Sequence, residues 1–134
     1  MQLFTVGLLF IQNKKLLLAY SINKQCYYLP GGKIDKGETA LTALCREIAE
    51  ELGVLLNPQT LNYYTHITAP AYGEPAGTMM EQDCYTTSQL VSPSAAAEIG
   101  SISYFNLPQY LAQPRQAPGA VMILQQLTLQ GLID

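Results

Sequence analysis

A glycine-rich loop, PGGKIDKGE, runs through Thr39 into ALTALCREIAEEL, and Gly53 follows at once. Thr39 suits the N-cap of a helix and Gly53 its left-handed terminator, so a helix of about four turns is predicted between them. Pro30 stiffens the entry to the loop, while Gly31, Gly32 and Gly37 allow backbone angles closed to other residues. At about 100° per residue, Leu41, Cys45, Ile48 and Leu52 form an apolar stripe. Glu47, Glu50 and Glu51 are expected on the opposite side, with Ala40 and Ala43 one turn earlier.

Like charges four residues apart cost a helix about 0.2–0.5 kcal/mol per pair. The chain is otherwise sparing with charge, 13% of residues against the usual ~25%. Five of its 10 acids, Asp35, Glu38, Glu47, Glu50 and Glu51, fall in this stretch. An ordinary solvated face mixes lysine with glutamate at i, i+4, and this one has no such lysine. A divalent cation turns the repulsion into shared coordination, and oxygen ligands suit Mg²⁺ and Mn²⁺. A loop able to bring its main chain close to a metal or phosphate, at fixed distance from the acids, points the same way.

Around this centre the 134 residues, 49% apolar, read as one domain over 1–134. Segments 2–11 and 15–21 read as a two-stranded hairpin about the turn QNKK. CYYL is a short strand, and PGGKIDKGE is expected to be irregular. TLNYYTHIT, TMMEQDCYTTSQL and SISYF are further strands, SPSAAAE a loop or helical turn, and about 118–130 a last helix. This order indicates an α/β or α+β domain with a mixed sheet. The uncharged tail GAVMILQQLTLQGLI is apolar on more than one face, as a buried helix or a homodimer contact would be. A net charge of −3 gives no case for a nucleic-acid polymer as partner. Three cysteines without a C-x-x-C pair argue against a disulfide framework or zinc ribbon. LFTVGLLFI is too short to span a bilayer and lacks preceding lysines, so no membrane association and a cytoplasmic location are expected.

Residues 32–54, GKIDKGETALTALCREIAEELGV, resemble the Nudix box, G-x5-E-x7-R-E-U-x-E-E-x-G-U with U a bulky aliphatic residue, at every specified position. With YYLPGG before it, the chain resembles the MutT-like branch of the Nudix hydrolases. The resemblance implies a Nudix fold, an α/β/α sandwich around a central mixed β-sheet. It implies hydrolysis of a nucleoside diphosphate linked to another group, with Mg²⁺ or Mn²⁺ as cofactor and a small nucleotide as the partner. Glu47, Glu50 and Glu51, with the Gly31 carbonyl, resemble the family's metal ligands. Glu38 resembles the glutamate that pairs with the box arginine, here Arg46, and Gly32 and Gly53 support the loop and the helix end.

Glu47, Glu50, Arg46 and Glu98 are the candidate catalytic residues. Glu47 and Glu98, the latter in a loop before a late strand, compete for the role of general base, with Glu81 and Asp83 as weaker rivals. Many MutT-like enzymes carry a phosphate-binding arginine on the second strand, where this chain has Tyr20 and Ser21. Lys24 is the candidate substitute. Tyr20 and Tyr28 are candidates to stack on a base. His66, the single histidine, is read as structural, and no hydrolase triad is present. The resemblance favours a nucleoside triphosphate, cleaved to monophosphate and pyrophosphate. ADP-ribose, a nucleotide sugar, a dinucleotide polyphosphate and a non-catalytic nucleotide-sensing module are the alternatives.

Overall fold

A computed structural model describes residues 1–134. The chain opens with strands β1 (Gln2–Leu9), β2 (Ile11–Gln12), β3 (Lys15–Ser21), β4 (Cys26–Tyr28) and β5 (Gly31–Lys33). Helix α1 (Ala40–Leu52) follows, then β6 (Leu61–Pro70), β7 (Met79–Thr87), β8 (Ile99–Phe105), α2 (Leu107–Leu111) and α3 (Pro118–Leu129). One sheet has the order β5-β1-β7-β6, with β1 parallel to β7 and antiparallel to β5. The other is built around β3, which pairs with β2, β4 and β8.

Strand alternation divides the core in two. Val6, Leu8, Phe10 and Leu17 face α1, packing on Leu44, Ile48 and Leu52. Leu9, Leu16, Leu18, Cys84 and Phe105 face the other way, onto Tyr110 of α2 and Ile123, Leu124 and Leu127 of α3. The fold is therefore the expected α/β/α sandwich, with the β5-β1-β7-β6 sheet mixed and the β3-centred sheet wholly antiparallel. No helix is long and apolar enough to cross a membrane.

Three expectations are corrected. Segments 2–11 and 15–21 do not form one hairpin. Every residue from Thr5 to Phe10 is buried, and β1 meets this need as an interior strand between β5 and β7. Only Ile11–Gln12 folds back on Lys15–Leu16, through Asn13 and Lys14 at φ 52° and 60°, the two left-handed residues of a tight hairpin turn. PGGKIDKGE is not irregular throughout, because Gly31–Lys33 pairs with Thr5–Gly7 as β5.

The third correction concerns α1. Thr39 caps it and Gly53 ends it at φ 65°, as expected. Its buried residues, however, are Ala43, Leu44, Ile48, Glu51 and Leu52, whereas Leu41 and Cys45 are only half-buried. The packed face is centred nearer Leu44 than the stripe implied, and Glu51 falls within it. Helix α2 had not been expected. Asn106 and Gln109 form a reciprocal capping box around it, a signal legible in NLPQ.

Candidate active site

Helix α1 packs on β1 and β5, and β5 begins with two glycines. Gly31 sits at φ 140°, and a Cβ there would lie 2.0 Å from the Val6 carbonyl oxygen. A Cβ on Gly32 would lie 2.6 Å from the Glu47 carboxyl carbon. The bare strand thus lets the helix carboxylates close onto its backbone. The Gly31 N–H donates to Glu51 Oε1 at 3.0 Å.

Arg46 organises the loop. Its Nε and Nη2 donate to the two Glu38 oxygens at 2.8 and 2.9 Å, its Nη1 to Glu47 Oε1 at 2.8 Å, and its Nη2 also to the Lys33 carbonyl at 3.1 Å. Asp35 lies 3.2 Å and Glu50 3.5 Å from the same guanidinium. The Arg46 hydrogen bonds, followed by that from the Asp35 N–H, hold the Glu38 carboxyl down at about 2. Bidentate pairing of this kind orients both partners.

The Glu51 side chain is 3% exposed. Burial pushes its pKa up to about 8, against the Gly31 N–H, with Glu47, Glu98 and Glu50 adding to the rise. Glu47 is also raised, by burial first, with Arg46 holding it back. These two carboxylates open on a cavity of about 300 Å³, which Gly31, Gly32, Lys33, Tyr28, Lys24 and Glu98 also line. Glu98 comes from the loop before β8, and its Oε2 accepts from Asn23 Nδ2 at 3.1 Å. Lys24 Nζ sits 5.6 Å from the centre of the Tyr28 ring and 3.7 Å from Glu74. The structure therefore brings together Glu47, Glu51, Glu98, Gly31, Gly32, Tyr28 and Lys24. No three His, Cys, Asp or Glu side chains converge as a ready-made metal cage; Glu47 is turned to Arg46 and Glu51 to the Gly31 N–H.

Other candidates lie apart. Glu50 is outside the cavity lining, its side chain 55% exposed beside Arg46. Tyr20 also lies outside the cavity, its ring 5.0 Å from that of Tyr27. Period two makes Tyr20 and Tyr28 look equally available, but only Tyr28 continues into the loop that meets β5. Sequence reasoning overlooked Thr5, Tyr72, Gln82 and Gly119 in the cavity wall. Gln82 had a signal, as a polar residue at an inward position of β7 between Met80 and Cys84.

Glu81 and Asp83 are also outside the lining, on the other face of β7. His66 bridges them, Nε2 to Glu81 and Nδ1 to Asp83, both at 2.8 Å. The hydrogen bond with Asp83, then that with Glu81, raises the His66 pKa above 6.5. Stability from the charged ring is thus fully present below about 6.5 and lost as pH rises through the higher folded value. With the side chain 40% exposed, solvent screening keeps the gain below ~1 kcal/mol. Proton NMR of this single histidine should give a midpoint above 6.5, lowered in Asp83→Asn. An unshifted midpoint would mean that the carboxylates do not hold the ring.

An arginine-braced acidic helix on a glycine edge strand, within an α/β/α sandwich, defines a Nudix-type protein. The NUDIX domain model matches residues 1–127, and the chain belongs to the Nudix hydrolase family. It is 38% identical over 53 residues to human 8-oxo-dGDP phosphatase NUDT18, a match covering 37% of this chain and 16% of the length of that protein. The fold is similar to a MutT NUDIX hydrolase from Burkholderia pseudomallei, with TM-score 0.77 and 22% identity over 95% of this chain and 98% of that one. It is also similar to a bifunctional NMN adenylyltransferase/ADP ribose pyrophosphatase from Francisella tularensis, in a complex with AMP and a Mn ion. There the TM-score is 0.69 and the identity 21%, over 97% of this chain and 42% of that one.

Proposed function

We propose that this chain is a metal-dependent pyrophosphohydrolase acting on a nucleoside diphosphate-linked substrate, with a nucleoside triphosphate, cut to monophosphate and pyrophosphate, as the leading one. The observation that carries the reading is the cavity itself, where Glu47 and Glu51 from α1, Glu98 from a distant loop and the backbone of β5 share one wall system. The donor set fits a hard divalent cation, being all oxygen and built from carboxylates. Burial raises both Glu47 and Glu51, a cost that a cation beside them removes. Glu47, Glu51 and the Gly31 backbone would hold Mg²⁺ or Mn²⁺, with Glu50 able to join from its exposed position. When bound, the ion supplies neutralisation of the diphosphate charge and lowers the pKa of water.

The chain's own groups do the rest. Arg46 holds Glu47 and ties the loop to the helix through Glu38, a bracing role beside the reacting atoms. Glu98 is the better candidate for accepting the proton of the attacking water, since neither Arg46 nor the Gly31 N–H engages it. Lys24 would meet a phosphate oxygen in exchange for Glu74, and Tyr28 would cover the sugar or base. The Francisella protein's name keeps ADP-ribose as the second reading.

A hydrolysis panel in Mg²⁺ and in Mn²⁺ tests this, covering ribo- and deoxyribonucleoside triphosphates, an oxidised guanine triphosphate, ADP-ribose, nucleotide sugars and dinucleotide polyphosphates. Metal-dependent release of pyrophosphate from a triphosphate is expected. Turnover of ADP-ribose alone would move the assignment to the second reading, and no turnover of any compound would overturn the enzymatic one.

A further inference from the structure

Where β1, β7 and the start of α3 line the cavity, they contribute no charged side chain, only Leu3, Thr5, Met80, Gln82, Gly119 and Ala120. Two polar side chains stand in this otherwise apolar wall. Thr5 and Gln82 are each 6% exposed and face each other in register on the parallel strands β1 and β7. The Gln82 Oε1 has only a weak contact with the Cys84 thiol at 3.9 Å, and its Nε2 donates to no protein acceptor. No side-chain nitrogen or oxygen is sealed in the protein without a partner, so Nε2 opens on the cavity that Gln82 lines. Gly7 makes room for it, since a Cβ there would lie 3.2 Å from Nε2. The Thr5 hydroxyl is also weakly engaged, 3.4 Å from the Glu81 carbonyl.

The start of α3 adds to this. Its N-cap residue Ala117 provides no side-chain hydrogen bond, and Gly119 and Ala120 of the first turn border the cavity. Gly119 keeps the space open, because a Cβ there would fall 2.7 Å from the Met80 methyl. Tyr110 positions this helix start. Its buried hydroxyl accepts from the Ala117 N–H at 2.8 Å and donates to the Tyr27 carbonyl.

A ligand matching such a wall is neutral and flat, with apolar faces and a polar edge. A glutamine amide offers two donors and one acceptor, enough to pair side by side with an edge that does both, as a nucleobase edge does. Thr5 is opposite Lys33 on one side and Gln82 on the other. Two strand spacings, about 10 Å, therefore separate Gln82 from β5, the strand against which Glu47 and Glu51 of α1 close. A ribose and its first phosphate span that gap.

We propose that Gln82, with Thr5 beside it, is the specificity-determining pair that reads the polar edge of the substrate's nucleobase, while the surrounding apolar wall covers the ring. This rests on the nucleotide reading above. It makes Gln82 a recognition residue and leaves the hydrolytic step to the other end of the cavity.

The test uses Gln82→Leu, close in size and without the amide. Two readouts are taken on wild type and variant: kcat and KM in Mg²⁺ for triphosphates of the common bases and of oxidised guanine, and metal-free binding of the matching nucleoside monophosphates by calorimetry. For the best base, KM is expected to rise about 10-fold or more with kcat within about twofold, and the spread between bases to narrow, as when a hydrogen-bonding specificity site loses its partner. Monophosphate affinity should fall in parallel. If Gln82→Leu does not fold, Thr5→Val and Gln82→Met take its place, with the same spread measured.

An unchanged base profile in an active variant overturns the inference and leaves the hydrolase reading intact. If the wild type hydrolyses nothing but binds a monophosphate through Gln82, the hydrolase reading fails and the inference stands. No binding and no turnover by the wild type would overturn both.

Discussion

Glu51→Gln should lower kcat/KM by about 10²–10³-fold or more, the loss that follows removal of one group from a preorganised electrostatic site. The fold should survive, because the glutamine oxygen can still accept the Gly31 N–H that Glu51 Oε1 now accepts at 3.0 Å. Without metal, stability should move the other way. Burial first, then the neighbouring carboxylates, hold the folded Glu51 at about 8 rather than 4.5. Between those values the folded state keeps a proton that the unfolded chain has released, so wild-type stability falls as pH rises through that window. Glutamine does not titrate. The metal-free variant should therefore exceed the wild type at about pH 9 by on the order of a few kcal/mol, the difference shrinking towards the acid end. Millimolar Mg²⁺ should raise the wild-type Tm at high pH and leave that of the variant nearly unmoved. Full activity in Glu51→Gln would remove Glu51 from the proposed metal site, and a pH-independent stability difference would contradict its burial as an acid.

Gly31→Ala is expected to cost about 3 kcal/mol or more, from a strained backbone angle combined with overpacking. At φ 140°, with the new Cβ 2.0 Å from the Val6 carbonyl oxygen, no rotamer change relieves the clash, and β5 must leave β1. Gly32→Ala provides the contrast. There the Cβ meets the Glu47 carboxyl, the end of a flexible side chain, at 2.6 Å. Stability should stay within about 1 kcal/mol, whereas displacing Glu47 from its place on Arg46 should reduce kcat/KM by about 10²-fold. Denaturant midpoints and steady-state kinetics separate the two. Equal effects of the two alanines on stability would show that the close approach of Gly31 to β1 is not what holds β5.

Much of this was legible along the chain because the signals are local. Thr39, Gly53 and the spacing of Arg46, Glu47, Glu50 and Glu51 announce the helix, its ends and the family at once, since capping and box spacing involve residues within a few turns of one another. The same holds for α3 and for the strands around β6, β7 and β8. Asn106 and Gln109 carried an equally local message for α2.

What local pattern leaves open is the identity of neighbours. The run from Thr5 to Phe10 reads as a strand either way, but only its burial on both faces makes it interior and sends the hairpin to Ile11–Gln12. The acids of α1 are alike in sequence, yet Glu51 is buried, Glu47 is held by Arg46, and Glu50 is left to solvent. Glycine strand β5 and the cavity behind it set those differences. Gln82 and Thr5 meet because β1 pairs in parallel with β7, a register between segments far apart in the chain. The sequence by itself determined the helix, its caps and the set of acids. The tertiary structure decided which acid is desolvated and which polar side chains face the cavity, because burial and register depend on chain segments that no local spacing relates.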